Sequence, residues 1–261
     1  MKVKKILELL EEKSPLSAAE SWDNPGLLVG DLEREVHCVY IALDATDEVI
    51  EHAITAGAEL VLTHHPLIFG KIGQVRADDF IGRRIIRLIE HKMSIICMHT
   101  NFDVFGMADI ACEKLSLQNP LPLDVTGEDT DGRPVGIGAY GEPQDELALT
   151  ELADLVKNRF GLEQVKVFGD PFARIKRCAV CPGSGKSEVD HAIAAGAQVL
   201  VTGDIDHHTG IDAVARGVNI IDAGHYGIEH IFIPYMEQYL KKAAGELTIA
   251  SEPFEEPFYY I

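Results

Sequence analysis

The sequence predicts an α/β protein of two similar lobes, each a mixed sheet flanked by helices. Three observations carry that prediction. Short β-branched apolar runs alternate with stretches of helical periodicity, the pattern of strand–helix–strand units with parallel pairing. The segment HAITAGAELVLTHH (52–65) returns at 191–204 as HAIAAGAQVLVTGD, with seven of fourteen positions identical and three more exchanging one aliphatic residue for another. In both places the next apolar run is followed by a His-x-x-x-carboxylate segment, His99–Asp103 and then His225–Glu229. An internal duplication of one α/β unit accounts for all three.

The elements follow in order. MKVKKILELLEEK reads as an amphipathic helix, because Glu8, Glu11 and Glu12 interrupt any signal-peptide core. Ser21-Trp22-Asp23-Asn24-Pro25-Gly26 is a turn-rich cluster. VHCVYIAL (36–43) is a buried strand, Thr46 caps a helix to about Ala56, and AELVLT (58–63) is the next strand. A helix over Asp79–Lys92, a strand SIICM (94–98) and a helix over Ala108–Leu115 complete the first copy.

The second copy runs through a strand at 173–181, a helix over Ser187–Ala195 and a strand at 197–202. A short helix near 210–216, a strand at 218–222 and a helix from about Ile228 to Ala244 end it. Between the copies lie a strand VGIGAY (135–140), a helix from Asp145 to Phe160 stopped by Gly161, and a strand VKVFG (165–169). The offset between copies falls from 139 residues (His52 to His191) to 126 (His99 to His225), so the second is shorter in its middle. The reading divides the chain into lobes 1–124 and 125–261, with the last helix packing on its own lobe or returning to the first.

Bulk properties narrow the function. The chain has 261 residues, 46% hydrophobic and 25% charged, within the range of soluble globular proteins. A net charge of −19 repels phosphate backbones and anionic lipid, which argues against nucleic acid or membrane partners. No apolar run approaches the roughly 20 residues that span a bilayer. Five cysteines without an export signal predict reduced thiols and a cytoplasmic protein.

Functional groups of parallel sheets collect at the carboxyl ends of strands. His64 and His65 follow AELVLT, Asp103 follows SIICM, and His225 and Glu229 follow VNIID. Three imidazoles and two carboxylates are too few to enclose two ions fully. They suit two divalent ions about 3.5–4 Å apart that share a carboxylate and leave positions to water. Imidazole-rich ligation favours Zn, Fe or Mn over Ca or Mg. Water at such positions ionises near neutral pH and can attack carbon or phosphorus. The isolated His37, His52, His91 and His191 read instead as surface or core histidines.

These residues carry a resemblance. SWDNPGLLVG, ALDAT, LTHHPLIF, HTNFD, GDIDHH and DAGHYGIE, in order along nearly the whole chain, resemble the Ngg-interacting-factor-three family, also known as GTP cyclohydrolase I type 2 homologues. The resemblance implies two α/β lobes with a dinuclear metal site in the inter-lobe cleft, and a toroidal homohexamer. It assigns the metal ligands to His64, His65, Asp103, His225 and Glu229, with Asp103 favoured as the bridge. It also implies a small-molecule substrate, such as a nucleotide, opened by water at a purine ring.

Other polar residues of these motifs have two readings each. His99, four before Asp103, orients ligands or handles protons, and Asp204 is a second candidate for proton transfer. Asn101 lies in the same HTNFD motif and is a pocket candidate. Asp204, His207 and His208 stand where the first copy has its histidine doublet; they face the cleft or bond within their loop. Trp22, Asp23 and Asn24 wall a pocket, or the turn packs Trp22 into the lobe. The aromatic tail Phe254, Phe258, Tyr259 and Tyr260 serves an oligomer interface or an intrachain contact.

CPGSGKS (181–187) is not a phosphate-binding loop, because Val180 stands where that motif needs glycine. Cys178 and Cys181 lie along a strand and read as packing residues. The sequence thus predicts a dinuclear-metal-dependent hydrolase; a metal-storing, metal-delivering or regulatory scaffold shares the same ligand set.

Overall fold

A computed structural model describes residues 1–259 and 261. Helix α1 (Val3–Lys13) buries Val3, Ile6 and Leu10, spaced to form one stripe. Strand β1 (Gly26–Val29) precedes β2 (Cys38–Ala42), α2 (Asp47–Thr55), β3 (Leu60–Thr63), α3 (Phe80–Glu90) and β4 (Ser94–Cys97). Thr46 and Asp79 cap α2 and α3, accepting from the amides of Val49 and Gly82. The short helix α4 (Thr100–Phe102) runs into a π-helical turn (Asp103–Met107) and then α5 (Ala108–Leu115).

The chain continues through β5 (Gln118–Glu128), β6 (Pro134–Glu142), β7 (Leu147–Ala148), α6 (Leu149–Phe160), β8 (Lys166–Phe168) and β9 (Arg174–Ile175). Then come β10 (Cys178–Ser184), α7 (Val189–Ala194), β11 (Val199–Gly203), α8 (His207–Ala215) and β12 (Asn219–Asp222). The last elements are α9 (His225–Glu229), α10 (Phe232–Ala243) and β13 (Thr248–Ser251).

The elements form two compact units: residues 1–102 with 232–255, and residues 103–231 with 256–261. The first division falls after Phe102, not at 124, because α5 packs on β5, β6, β10 and α6. Residues 232–255 join the first unit because β13 pairs with β2 and the Tyr239 hydroxyl donates to the Leu9 carbonyl at 2.6 Å.

In the first unit the sheet order is β1-β4-β3-β2-β13, with only β1 antiparallel to its neighbour. The central strands are buried throughout, as expected of parallel strands covered on both faces. Ile50, Val61, Leu88 and Ile95 meet in its core, each contributing about 1.5–3 kcal/mol by burial. In the second unit the order is β5-β6-β10-β11-β12-β8, where only β10-β11-β12 are parallel. Both sheets are therefore mixed and helix-flanked. Each unit also runs strand–helix–strand–helix–strand through its parallel core.

Several elements differ from the sequence reading. Strand β5 has no counterpart in the sequence reading; it carries Pro120 and Pro122 and lies at the sheet edge, where missing amide donors are tolerated. The helix expected from Asp145 begins at Leu149, where the Glu151 side chain accepts from the Ala148 amide at 2.7 Å. The helix expected from Ile228 is two helices, α9 and α10. All five cysteines are free and buried, and burial pushes the Cys112 thiol up to about 12. Phe254, Phe258 and Tyr259 are exposed, and Tyr260 lies outside the described residues.

Candidate metal centre

In the first unit, three histidines stand together. His64 and His65 leave the carboxyl end of β3, and His99 follows β4. One ring nitrogen from each lies within 4.8 Å of the others. The doublet is held from its backbone: the Thr63 hydroxyl donates to the His65 carbonyl, and the Cys97 thiol donates to the His64 carbonyl.

Each ring is also fixed in tautomer. His64 is fully buried, and its Nδ1 lies 2.7 Å from the Met98 carbonyl, which can only accept. The Nδ1 therefore carries a proton. His65 Nδ1 is 2.9 Å from an Asp44 carboxylate oxygen, and His99 Nδ1 is 2.9 Å from Asp23. Carboxylates and carbonyls behind histidine rings are the usual orienting partners of metal-ligating imidazoles.

Asp23 is the hub behind His99. Its side chain is out of solvent and accepts from the Thr100 amide and hydroxyl as well as from His99. Burial alone would raise the carboxyl; the hydrogen bonds from His99 and Thr100 outweigh it and hold Asp23 well below the usual carboxylate range. Trp22 is 57% exposed, so it is not packed into the core. It stacks on Phe69 with centroids 5.8 Å apart and meets His99 edge-on at 6.0 Å. Asn24 donates to the Ile68 carbonyl, tying that turn to the loop after the histidine doublet. Asn101 is fully buried and donates to the Ser14 carbonyl, a structural tie.

The second unit carries the acids. Asp103 opens the π-helical turn, and His225 and Glu229 bracket α9 one turn apart. His225 Nε2 is 2.9 Å from Glu229 Oε2, and its Nδ1 is 2.8 Å from Asp204. Asp103 and Glu229 each bring a carboxylate oxygen within 4.8 Å of the other. Glu229 is buried, so two carboxylates this close are costly without a cation.

Two glycines make room for this group. A Cβ on Gly183, whose φ is +79°, would come 2.3 Å from Glu229 Oε1 and 3.8 Å from His225 Nε2. A Cβ on Gly203 would come 2.6 Å from the His225 backbone nitrogen. Gly203-Asp204 therefore has a physical reason: a side chain at 203 would strike the turn that carries His225, and Asp204 bonds the ring. Of the two glycines in CPGSGKS, Gly183 serves the close approach of Glu229, and Gly185 packs against Thr202.

His207 and His208 are exposed at the start of α8, where Asp206 accepts from the Thr209 amide. Among the described residues, neither they nor Asp204 belongs to a group able to hold an ion. Asp44 was not anticipated. The rule that placed His64 at the carboxyl end of β3 points equally to the residues after β2, which would have found it.

The family profile described as Duf34/NIF3 (NGG1p interacting factor 3) matches residues 1–256. The chain belongs to this family. A NIF3 relative from Clostridium perfringens, named GTP cyclohydrolase 1 type 2 homolog, is 34% identical over the full length of both chains. A Bacillus cereus protein related to NIF3 has the same fold, with a TM-score of 0.94 at 24% identity, covering 100% of this chain and 99% of that one. Reduced HcgD from Methanocaldococcus jannaschii is similar at a TM-score of 0.83 and 30% identity, covering 97% and 98%. Among the described residues, no helix of this NIF3 protein is long and apolar enough to cross a membrane.

Proposed function

We propose that this NIF3 protein is a dinuclear-metal-dependent hydrolase of a small molecule. His64, His65, Asp103, His225 and Glu229 would hold two divalent ions, Zn, Fe or Mn by the softness of the donors. The donor set fits. Three imidazoles are each tied through Nδ1 to Met98, Asp44 or Asp204. Two acids lie side by side, and Gly183 leaves the space that Glu229 occupies. The imidazole tethering carries the reading, because a carbonyl or carboxylate dedicated to Nδ1 is the usual orienting partner of a metal-ligating imidazole. When bound, two such ions supply Lewis acidity and an activated water.

The chain's own residues do the rest. His99, held by Asp23, is placed to take or return a proton at its Nε2. Asp204 is committed to orienting His225, which leaves His99 the stronger candidate for proton transfer. Trp22 and Phe69, stacked beside His99, offer a flat apolar face to a ring substrate. That chemistry accords with a purine, the substrate type in the name of the Clostridium perfringens relative. A toroidal homohexamer, and lobes that arose by duplication, belong to the same reading; native mass measurement tests the first.

The direct test is a screen of metal-loaded protein against nucleotides, cyclic amides and phosphoesters, with Asp103→Ala alongside. Turnover that disappears in the variant is expected. Turnover that survives it removes the site, and stoichiometric metal with no turnover anywhere leaves a metal-carrying scaffold.

A further inference from the structure

A second group of ligand-type side chains lies wholly within the second unit and shares no residue with the five-ligand centre. Asp124 stands on β5, Glu188 just before α7, and His191 on α7. One donor atom from each lies within 4.8 Å of the others. His191 Nδ1 is 2.9 Å from Glu188 Oε2, and its Nε2 is 3.7 Å from Asp124 Oδ1. The Ser187 hydroxyl donates to the other Glu188 oxygen at 2.9 Å.

Charge decides what this cluster wants. The Glu188 side chain is only 7% exposed, and among the described residues no Lys or Arg pairs with Glu188 or Asp124. A buried carboxylate is expensive without a cation. A proton on His191 would offset one of the two negative charges; a divalent ion with neutral His191 offsets both. The side chains of Asp124 and His191 are 35% and 42% exposed, so they can close on an ion while Glu188 stays fixed beneath it. Their exposure also leaves an open face for water to complete the coordination.

We propose that Asp124, Glu188 and His191 form an additional cation site that binds one first-row divalent ion, of the Mn(II) or Zn(II) type. Two carboxylates with one imidazole match the donor preferences of those ions better than those of Ca or Mg. The site also has a local consequence. It clasps the edge strand β5 to the start of α7, which among the described residues no ion pair with Lys or Arg does.

The test is a titration of metal-stripped full-length protein with Mn(II), counting bound ions by loss of the free-ion EPR signal. Wild type should bind one equivalent more than His191→Ala, and one more than Asp124→Asn, which replaces a half-exposed acid isosterically and keeps the fold. Asp103→Ala should retain the equivalent that His191→Ala loses, which separates this site from the five-ligand centre. The His191 ring resonances should broaden at the first equivalents. Equal stoichiometry in wild type, His191→Ala and Asp124→Asn would overturn the proposal. So would His191 resonances that follow pH and ignore the ion, which would leave an imidazolium between two acids.

Discussion

The Nδ1 of His65 lies 2.9 Å from the Asp44 carboxylate, and in the other unit His225 stands in the same relation to Asp204 at 2.8 Å. Each ring is aimed by an acid from the loop after a neighbouring strand. The acids are largely exposed, at 47% and 56%, so their worth lies in orientation more than in stability.

Asp44→Asn and Asp204→Asn should therefore weaken metal binding by about 10–100-fold each while leaving the thermal midpoint nearly unchanged. Competition against a chromogenic chelator measures this. Affinity equal to wild type in both variants would show that the rings need no aiming.

Gly183→Ala should cost about 1–3 kcal/mol, because the residue is held at φ +79° and its Cβ would overlap Glu229 Oε1. Urea unfolding reads the loss. The same variant should arrive from purification with less metal than wild type, and full occupancy would contradict the packing described around Glu229.

Asp23 gives a pH dependence with a definite sign. Its carboxyl is held below its unfolded value, chiefly against burial and by the bonds from His99 and Thr100. Its contribution is thus complete above the unfolded pKa of about 4 and fades as pH falls further toward the folded value. Asp23→Asn should flatten the acid limb of stability against pH. If wild type and variant lose stability in parallel below pH 4, the network is not coupled to folding.

Removing residues 247–261 should destabilise the protein and promote aggregation. Strand β13 covers the edge of β2, whose Val39 and Ile41 are fully buried, and an uncovered apolar edge templates further pairing. Light scattering of the truncated chain checks it; a monodisperse, equally stable product would be the contrary result.

What the sequence showed followed from pattern strength. The strands β2, β3, β4, β11 and β12 are continuous apolar runs, and the doublet with its two His-x-x-x-acid segments pointed to the five residues proposed as ligands. Strand β13 is only TIAS, and its conformation comes from pairing with β2. Strand β1 hides behind the turn residues Asn24-Pro25-Gly26. Nothing local to Asp44 shows that His65, 21 residues ahead, lies within hydrogen-bond reach. Nothing local to Gly183 shows that what demands it is the carboxylate of Glu229.

The first unit is built from two stretches of chain with most of the second unit between them. During vectorial synthesis, Met1–Phe102 leaves the ribosome long before the strand that completes its sheet. Its nascent edge at β2 must wait through some 145 residues of further translation for β13, while residues 103–231 can already be collapsing. The order in which the chain emerges is thus the reverse of the order in which its two halves can be finished.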